Sequence, residues 1–107
     1  MKYFILSILT LFTFESAKSQ EATGSVYGKV IDEFTNEPLI GANVILDGTT
    51  MGAATDLEGY YSIINVRAGT YTIRFRFLGF KTRVVENIRI SADQTTKLDA
   101  VLEFTIP

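Results

Sequence analysis

The sequence predicts an all-β chain folded as a single small Greek-key-type β-sandwich, and three observations carry that expectation. Apolar residues recur at every second position, the period of a strand with one buried face. Short clusters of turn chemistry separate these runs at close intervals: "TNEP", "DGTTMG", "DLEG", "RAG", "LGF" and "SADQ". No segment joins a helical period to a cap and a C-terminal Gly, and several short strands so spaced suit two stacked sheets.

The first element lies outside the fold. Met1 and Lys2 make a short positive start, "YFILSILTLFTF" from Tyr3 to Phe14 is an uncharged apolar run, and Ala17 and Ser19 are small residues two apart. That layout is a secretory signal peptide cleaved after Ser19. The run falls short of the roughly 20 apolar residues a membrane-spanning helix needs, and no Cys follows it to carry a lipid anchor. The expected organisation is a signal peptide over 1–19, a lead-in over 20–27, the sandwich over 28–104 and a tail over 105–107, with export across the inner membrane of a bacterium.

In "SVYGKVID" one face carries Val26, Gly28 and Val30. In "GANVILDG" Ala42, Val44 and Leu46 share a face, while Asn43 and Asp47 point away. The alternating "YYSIINV" gives Tyr61 and Ile63 one parity, which makes Tyr61 the inward tyrosine and Tyr60 the surface one. "GTYTIRFRFLGF" is the clearest case: Tyr71, Ile73, Phe75 and Phe77 lie on one face, and Thr72, Arg74 and Arg76 on the wet one. Its aromatic content makes it the largest expected contributor to apolar burial. Near the end, "TKLDAVLE" sets Leu98, Ala100 and Leu102 inward against Lys97, Asp99 and Glu103.

Composition removes whole classes of function. The chain has 10 basic and 12 acidic residues, and loss of Lys2, Lys18 and Glu15 with the leader leaves an acidic excess. Nucleic acid is therefore not an expected partner, because phosphate binding needs a basic footprint. There is no Cys for a disulfide, so packing must hold a domain of this size. With neither His nor Cys, zinc sites, thiol nucleophiles and a Ser-His-Asp triad are excluded. The acids are scattered over turns and outward positions, where they solubilise. The chain is not expected to be an enzyme or to carry a metal or cofactor.

The stretch "GTTMGAATDLEGYYSI", Gly48 to Ile63, has the look of a metal loop, with Asp47, Asp56 and Glu58 as candidate calcium oxygens. It lacks the alternating ligand ladder and distal Glu of a calcium loop. An Asp followed three residues later by Gly59 is what a tight turn between strands needs, so the expected role of Asp56 is to cap a turn.

"GKVIDEFTNEPLIGANVILDGTTMGAATDLEGYYSIINVRAGTYTIRFRFLGFKT" resembles the carboxypeptidase regulatory-like domain. The landmarks stand in order: G-x-V at Gly28 to Val30, P-L-x-G-A-x-V at Pro38 to Val44 with Gly41, T-D-x-x-G-x-Y at Thr55 to Tyr61 with Asp56 and Gly59, G-x-Y at Gly69 to Tyr71, and G-F-K at Gly79 to Lys81. The resemblance covers about Gly28 to Leu102 and implies a prealbumin-like β-sandwich. Such domains stand at the N-terminus of TonB-dependent outer-membrane receptors of Bacteroidetes, including the starch-utilisation type. It implies a non-catalytic accessory domain of a nutrient-uptake receptor system, periplasmic or outer-membrane-associated, with a protein partner. After "VLEFTIP" no plug or barrel follows, so the expectation is a free-standing module or a truncated receptor.

Each landmark also has a structural reading: Pro38 fixes φ at a loop, Gly41 and Ala42 are small where layers meet, and Gly79 stands where a strand bends. A second function remains, a secreted sandwich binding carbohydrate or a protein surface, with Tyr27, Tyr60 and Phe80 as candidate platforms. A small-molecule carrier of the prealbumin type is a third, although nothing marks the intersubunit interface it needs. Finally, Arg74, Arg76, Lys81, Arg83 and Arg89 concentrate positive charge in an acidic chain. Arg74 and Arg76 with Lys81 and Arg83 form a candidate basic stripe for docking an acidic partner, against the plainer reading of a solvated sheet face.

Overall fold

The computed structural model describes residues 22–105. The leader expected over 1–19 lies outside them. Eight strands and no helix make up the described chain: β1 (Thr23–Asp32), β2 (Asn43–Leu46), β3 (Gly52–Ala54), β4 (Tyr60–Arg67), β5 (Gly69–Arg76), β6 (Arg83–Ile90), β7 (Thr95–Lys97) and β8 (Ala100–Leu102). They form two four-stranded sheets, the β-sandwich that the alternation predicts. One sheet runs β4-β1-β7 with β8 also on β1, and the other runs β3-β2-β5-β6.

β1 organises the first sheet. It is antiparallel to β4 on one side and parallel to β7 and then β8 on the other. Between β7 and β8 the ladder breaks: Leu98 donates its N–H to the Tyr27 carbonyl, and the Asp99 carboxylate accepts the Lys29 N–H at 2.8 Å. The break brings the Leu98 carbonyl so close that any Cβ at Gly28 would overlap it. Gly at this landmark is therefore a requirement of close backbone approach.

The core is the sum of the inward sets. Val26, Val30, Tyr61, Ile63, Val66, Ala100 and Leu102 come from the first sheet, Val44, Leu46, Ile73, Phe75 and Ile90 meet them from the second, and Ala42 joins from the loop just before β2. The Tyr61 and Phe75 rings join the layers edge to face, with centroids 5.7 Å apart. Phe75 is fully buried, and burial of one such side chain contributes roughly 1.5–3 kcal/mol.

Two bulges interrupt the alternation. The β1/β4 register shifts between Gly24 and Val26, and the β5/β6 register shifts between Tyr71 and Ile73. On the strand that carries the extra residue of each bulge, β4 and β6, stands an Asn with positive φ, Asn65 at 58° and Asn87 at 62°. Asn tolerates this conformation better than other residues with a side chain. As a result Ile64 and Asn65 both face outward before Val66 returns to the core.

Candidate functional site

The turn at Asp56 is built from its own sequence. The Asp56 carboxylate accepts the N–H groups of Glu58 and Tyr60 through one oxygen, at 3.0 and 2.9 Å, and its backbone carbonyl accepts the Gly59 N–H. Gly59 has φ +83°, and an added Cβ would stand 2.8 Å from Pro38 Cβ and 2.9 Å from the Val30 carbonyl. This landmark is required for both conformation and space. Thr55 beside it is buried, accepts the Ala42 N–H at 2.8 Å and donates to the Leu39 carbonyl at 2.5 Å.

Those contacts separate the three oxygens of the calcium reading. Asp56 is engaged with backbone, Glu58 is exposed, and Asp47 pairs with Arg74, whose Nε lies 2.8 and 2.9 Å from its two oxygens. Among the described residues no three metal-ligating side chains form a group able to hold a metal ion.

The remaining landmarks serve the same architecture. Gly41 donates its N–H to the Thr55 carbonyl but is not the point of close layer contact expected of it: it is exposed with open space around it, and its φ of +81° is what calls for Gly. Pro38 bridges to Ile31, and Tyr71, which packs its ring on Gly69, donates its hydroxyl to the Arg67 carbonyl at 2.6 Å. Gly79 stands in the β5–β6 turn and accepts the Thr105 N–H. Tyr61, facing inward as its parity predicts, donates to the Leu98 carbonyl at 2.5 Å. Burial, and secondarily the Asp99 charge, push its phenol well above the usual tyrosine range.

The basic residues fall into separate groups. Arg74 and Arg76 face outward on β5, and Arg76 stands beside Asn43 of β2. Arg83 pairs with Phe75, so it has the parity of the inner face and emerges at the rim of the sandwich. There, with Lys81, it borders a cleft of about 380 Å³ that also holds Glu33 and Glu103. Lys81 Nζ lies 3.9 Å from the Glu103 carboxylate. Arg89 pairs with Thr70 at the far end of the same sheet.

The aromatic candidates divide as well. Tyr27 pairs with Ser62 and Lys29 with Tyr60, which places Tyr27 and Tyr60 diagonally on the outer face of the first sheet. Lys29 Nζ stands 5.2 Å from the centre of the Tyr60 ring. Both tyrosines border a cleft of about 590 Å³ reaching Ser62, Thr95 and Asp56. Phe80 is elsewhere, stacked edge to face between Phe77 and Phe104 at 5.5 and 5.3 Å. Sequence reasoning did not single out Phe34, Leu57 and Leu78, which are 77%, 75% and 96% exposed. Their only signal is an apolar side chain inside a turn.

Two sheets facing across an apolar core, with the recognisable positions engaged in turns and layer contacts, define a small all-β sandwich module. The chain belongs to the CarboxypepD_reg-like domain family, whose model matches residues 26–105. It is 31% identical over 106 residues to the TonB-dependent receptor SusC of Bacteroides thetaiotaomicron, covering 94% of this chain and 10% of that one. It is 29% identical over 86 residues to the TonB-dependent receptor P39 of Formosa agariphila, covering 79% and 8%. The chain thus spans a small part of the length of these curated relatives. Among solved structures, a Cohesin-X-Dockerin complex from Acetivibrio cellulolyticus contains a chain 28% identical, with TM-score 0.65, covering 74% of this chain and 56% of that one. A putative carbohydrate binding protein from Bacteroides uniformis shares the fold at 24% identity and TM-score 0.56, covering 73% and 40%.

Proposed function

We propose that the chain is a non-catalytic accessory domain of a TonB-dependent receptor system for nutrient uptake, exported to the periplasm or held at the outer membrane, where it contacts a protein partner. The observation that carries this reading is the likeness to the receptor SusC across 94% of the chain. The secretory pattern of residues 1–19 supports export. No helix among the described residues is long and apolar enough to cross a membrane. The domain adds contact surface, and transport belongs to the barrel of the receptor it serves. The test is fractionation of cells carrying the tagged chain, followed by crosslinking of the intact envelope. Recovery with the envelope and a crosslink to a receptor component support the reading; a cytoplasmic chain without crosslinks would sink it. Within this reading Arg74, Arg76, Lys81 and Arg83 are proposed docking cations, and Arg74→Glu with Arg76→Glu should weaken partner capture if the outer face of β5 takes part.

The adjacency of Tyr27 and Tyr60 beside a hydroxyl-lined cleft favours one second reading, a secreted module that binds carbohydrate. Tyrosine fluorescence during titration with neutral oligosaccharides separates the two. A saturable change lost in Tyr60→Ala supports sugar binding, and a flat titration removes it.

A further inference from the structure

Strand direction gives the sandwich two unlike ends. The loops over 33–42, 55–59 and 77–82 and the stretch 103–105 meet at one end, tied together by Gly41 N–H to the Thr55 carbonyl, Glu33 N–H to the Leu102 carbonyl and Lys81 N–H to the Glu103 carbonyl. The three most exposed large hydrophobic side chains, Phe34, Leu57 and Leu78, stand one on each of these loops, with Ile40 and Phe104 half exposed beside them. At the opposite end the loops over 47–51 and 91–94 carry no large exposed hydrophobic among the described residues, and a single exposed strand residue, Ile64 of β4, borders the 91–94 loop beside Asp93 and Gln94. Apolar groups on several loop tips at one end mark an interaction surface, whereas single scattered ones need no explanation.

Charge divides the same way. At the apolar end and its bordering strand residues, Asp32, Glu33, Glu37, Asp56, Glu58 and Glu103 face Arg76, Lys81 and Arg83. Elsewhere Asp47, Glu86, Asp93 and Asp99 face Lys29, Arg67, Arg74, Arg89 and Lys97. The apolar end is therefore net acidic and the remainder is slightly basic. Acids adjoin three of the exposed side chains directly: Glu33 precedes Phe34, Asp56 and Glu58 flank Leu57, and Glu103 precedes Phe104. Such a rim repels an anionic lipid surface and the same end of a second copy.

We propose that this end docks a partner protein through an apolar patch on the partner flanked by Lys or Arg. The proposal rests on the reading that the domain acts by protein contact, and adds the face and the chemistry of the partner. The test places a photo-reactive amino acid in the full chain, in its native cells, in place of Leu57 or Leu78. Control positions are Thr50 at the polar end and Tyr27 on the sheet face. The expected result is adducts from 57 and 78 to a protein peptide with basic residues beside apolar ones. Combining Glu33→Lys, Glu37→Lys and Glu58→Lys should lower that yield about tenfold or more, with the thermal midpoint held, because these side chains are exposed. Adducts only to lipid or to a second copy overturn the proposal, as does a yield that charge reversal leaves unchanged. Adducts from Tyr27 or Thr50 but not from 57 or 78 overturn it and leave the protein-contact reading standing. Silence at every position overturns both.

Discussion

The Tyr61 hydroxyl donates to the Leu98 carbonyl at 2.5 Å, so a side chain of β4 crosses beneath β1 and holds the break between β7 and β8. Gly28, paired with Tyr61 in the β1/β4 ladder, is the residue beneath which this contact passes. One buried phenol thereby ties three strands of the first sheet together.

Tyr61→Phe should destabilise the domain by about 1–2 kcal/mol, because the ring packing survives while the Leu98 carbonyl loses a buried donor. Urea denaturation of both proteins near neutral pH checks the size. The difference should also depend on pH. Folding raises the pKa of the phenol, by burial first and the Asp99 charge second, above the value of about 10 of an unfolded tyrosine. The unfolded chain therefore releases its proton first. The stabilisation is whole below about pH 10 and is lost as pH climbs from there towards the folded value. The gap between the two proteins should narrow above that point by up to about 1.4 kcal/mol per pH unit, and a gap of constant size would contradict this.

Gly28→Ala should cost about 3 kcal/mol or more, since the obstruction is backbone and cannot swing aside. Amide exchange should show the loss concentrated where β7 and β8 pair with β1, with the β2–β5 ladder spared until global unfolding.

Thr55→Val should cost about 1–3 kcal/mol, because the buried Ala42 N–H would lose its acceptor and the Leu39 carbonyl its donor. Thr55→Ser retains both bonds and should lose less. A smaller loss in the thermal midpoint for Thr55→Val than for Thr55→Ser would show that the methyl group, rather than the hydroxyl, carries the effect.

Asp56→Asn should leave stability within about 0.5 kcal/mol, because the amide oxygen can accept the same two N–H groups. Asp56→Ala should lose about 1 kcal/mol through the uncapped turn. Calcium titration of the wild type provides the contrast: a raised thermal midpoint that Asp56→Asn abolishes would reinstate the metal reading.

The inward sets of β1, β2, β5 and β8 were legible because parity is a local property of a strand, and the opposite exposures of Tyr60 and Tyr61 follow from the same count. β3 and β6 were harder. "GAA" has no large side chain to show a face, and "RVVENIRI" loses its alternation at the Asn87 bulge. Nothing in "INVR" announces that Asn65 will adopt positive φ and turn Ile64 outward. The basic residues failed to form one stripe for a related reason. The face of Arg83 relative to Arg76 depends on the conformation of the intervening turn, which counting within a strand does not specify. Parallel pairing of β1 with β7 and β8 was illegible because no local signal encodes a contact between segments so far apart in the chain.

That pairing has a kinetic side. Ser25 meets Thr95, and Val30 meets Ala100, so the first strand to be synthesised waits for the last before its second edge is covered. Contacts of such long sequence separation slow folding, since the chain must close a large loop before the pairing can reward it. Until Thr95 arrives, β1 presents an open row of hydrogen-bonding groups, the state in which a β chain most readily joins the wrong partner. An unfinished or nicked copy of this domain is accordingly a better substrate for chaperones and proteases than its small size suggests.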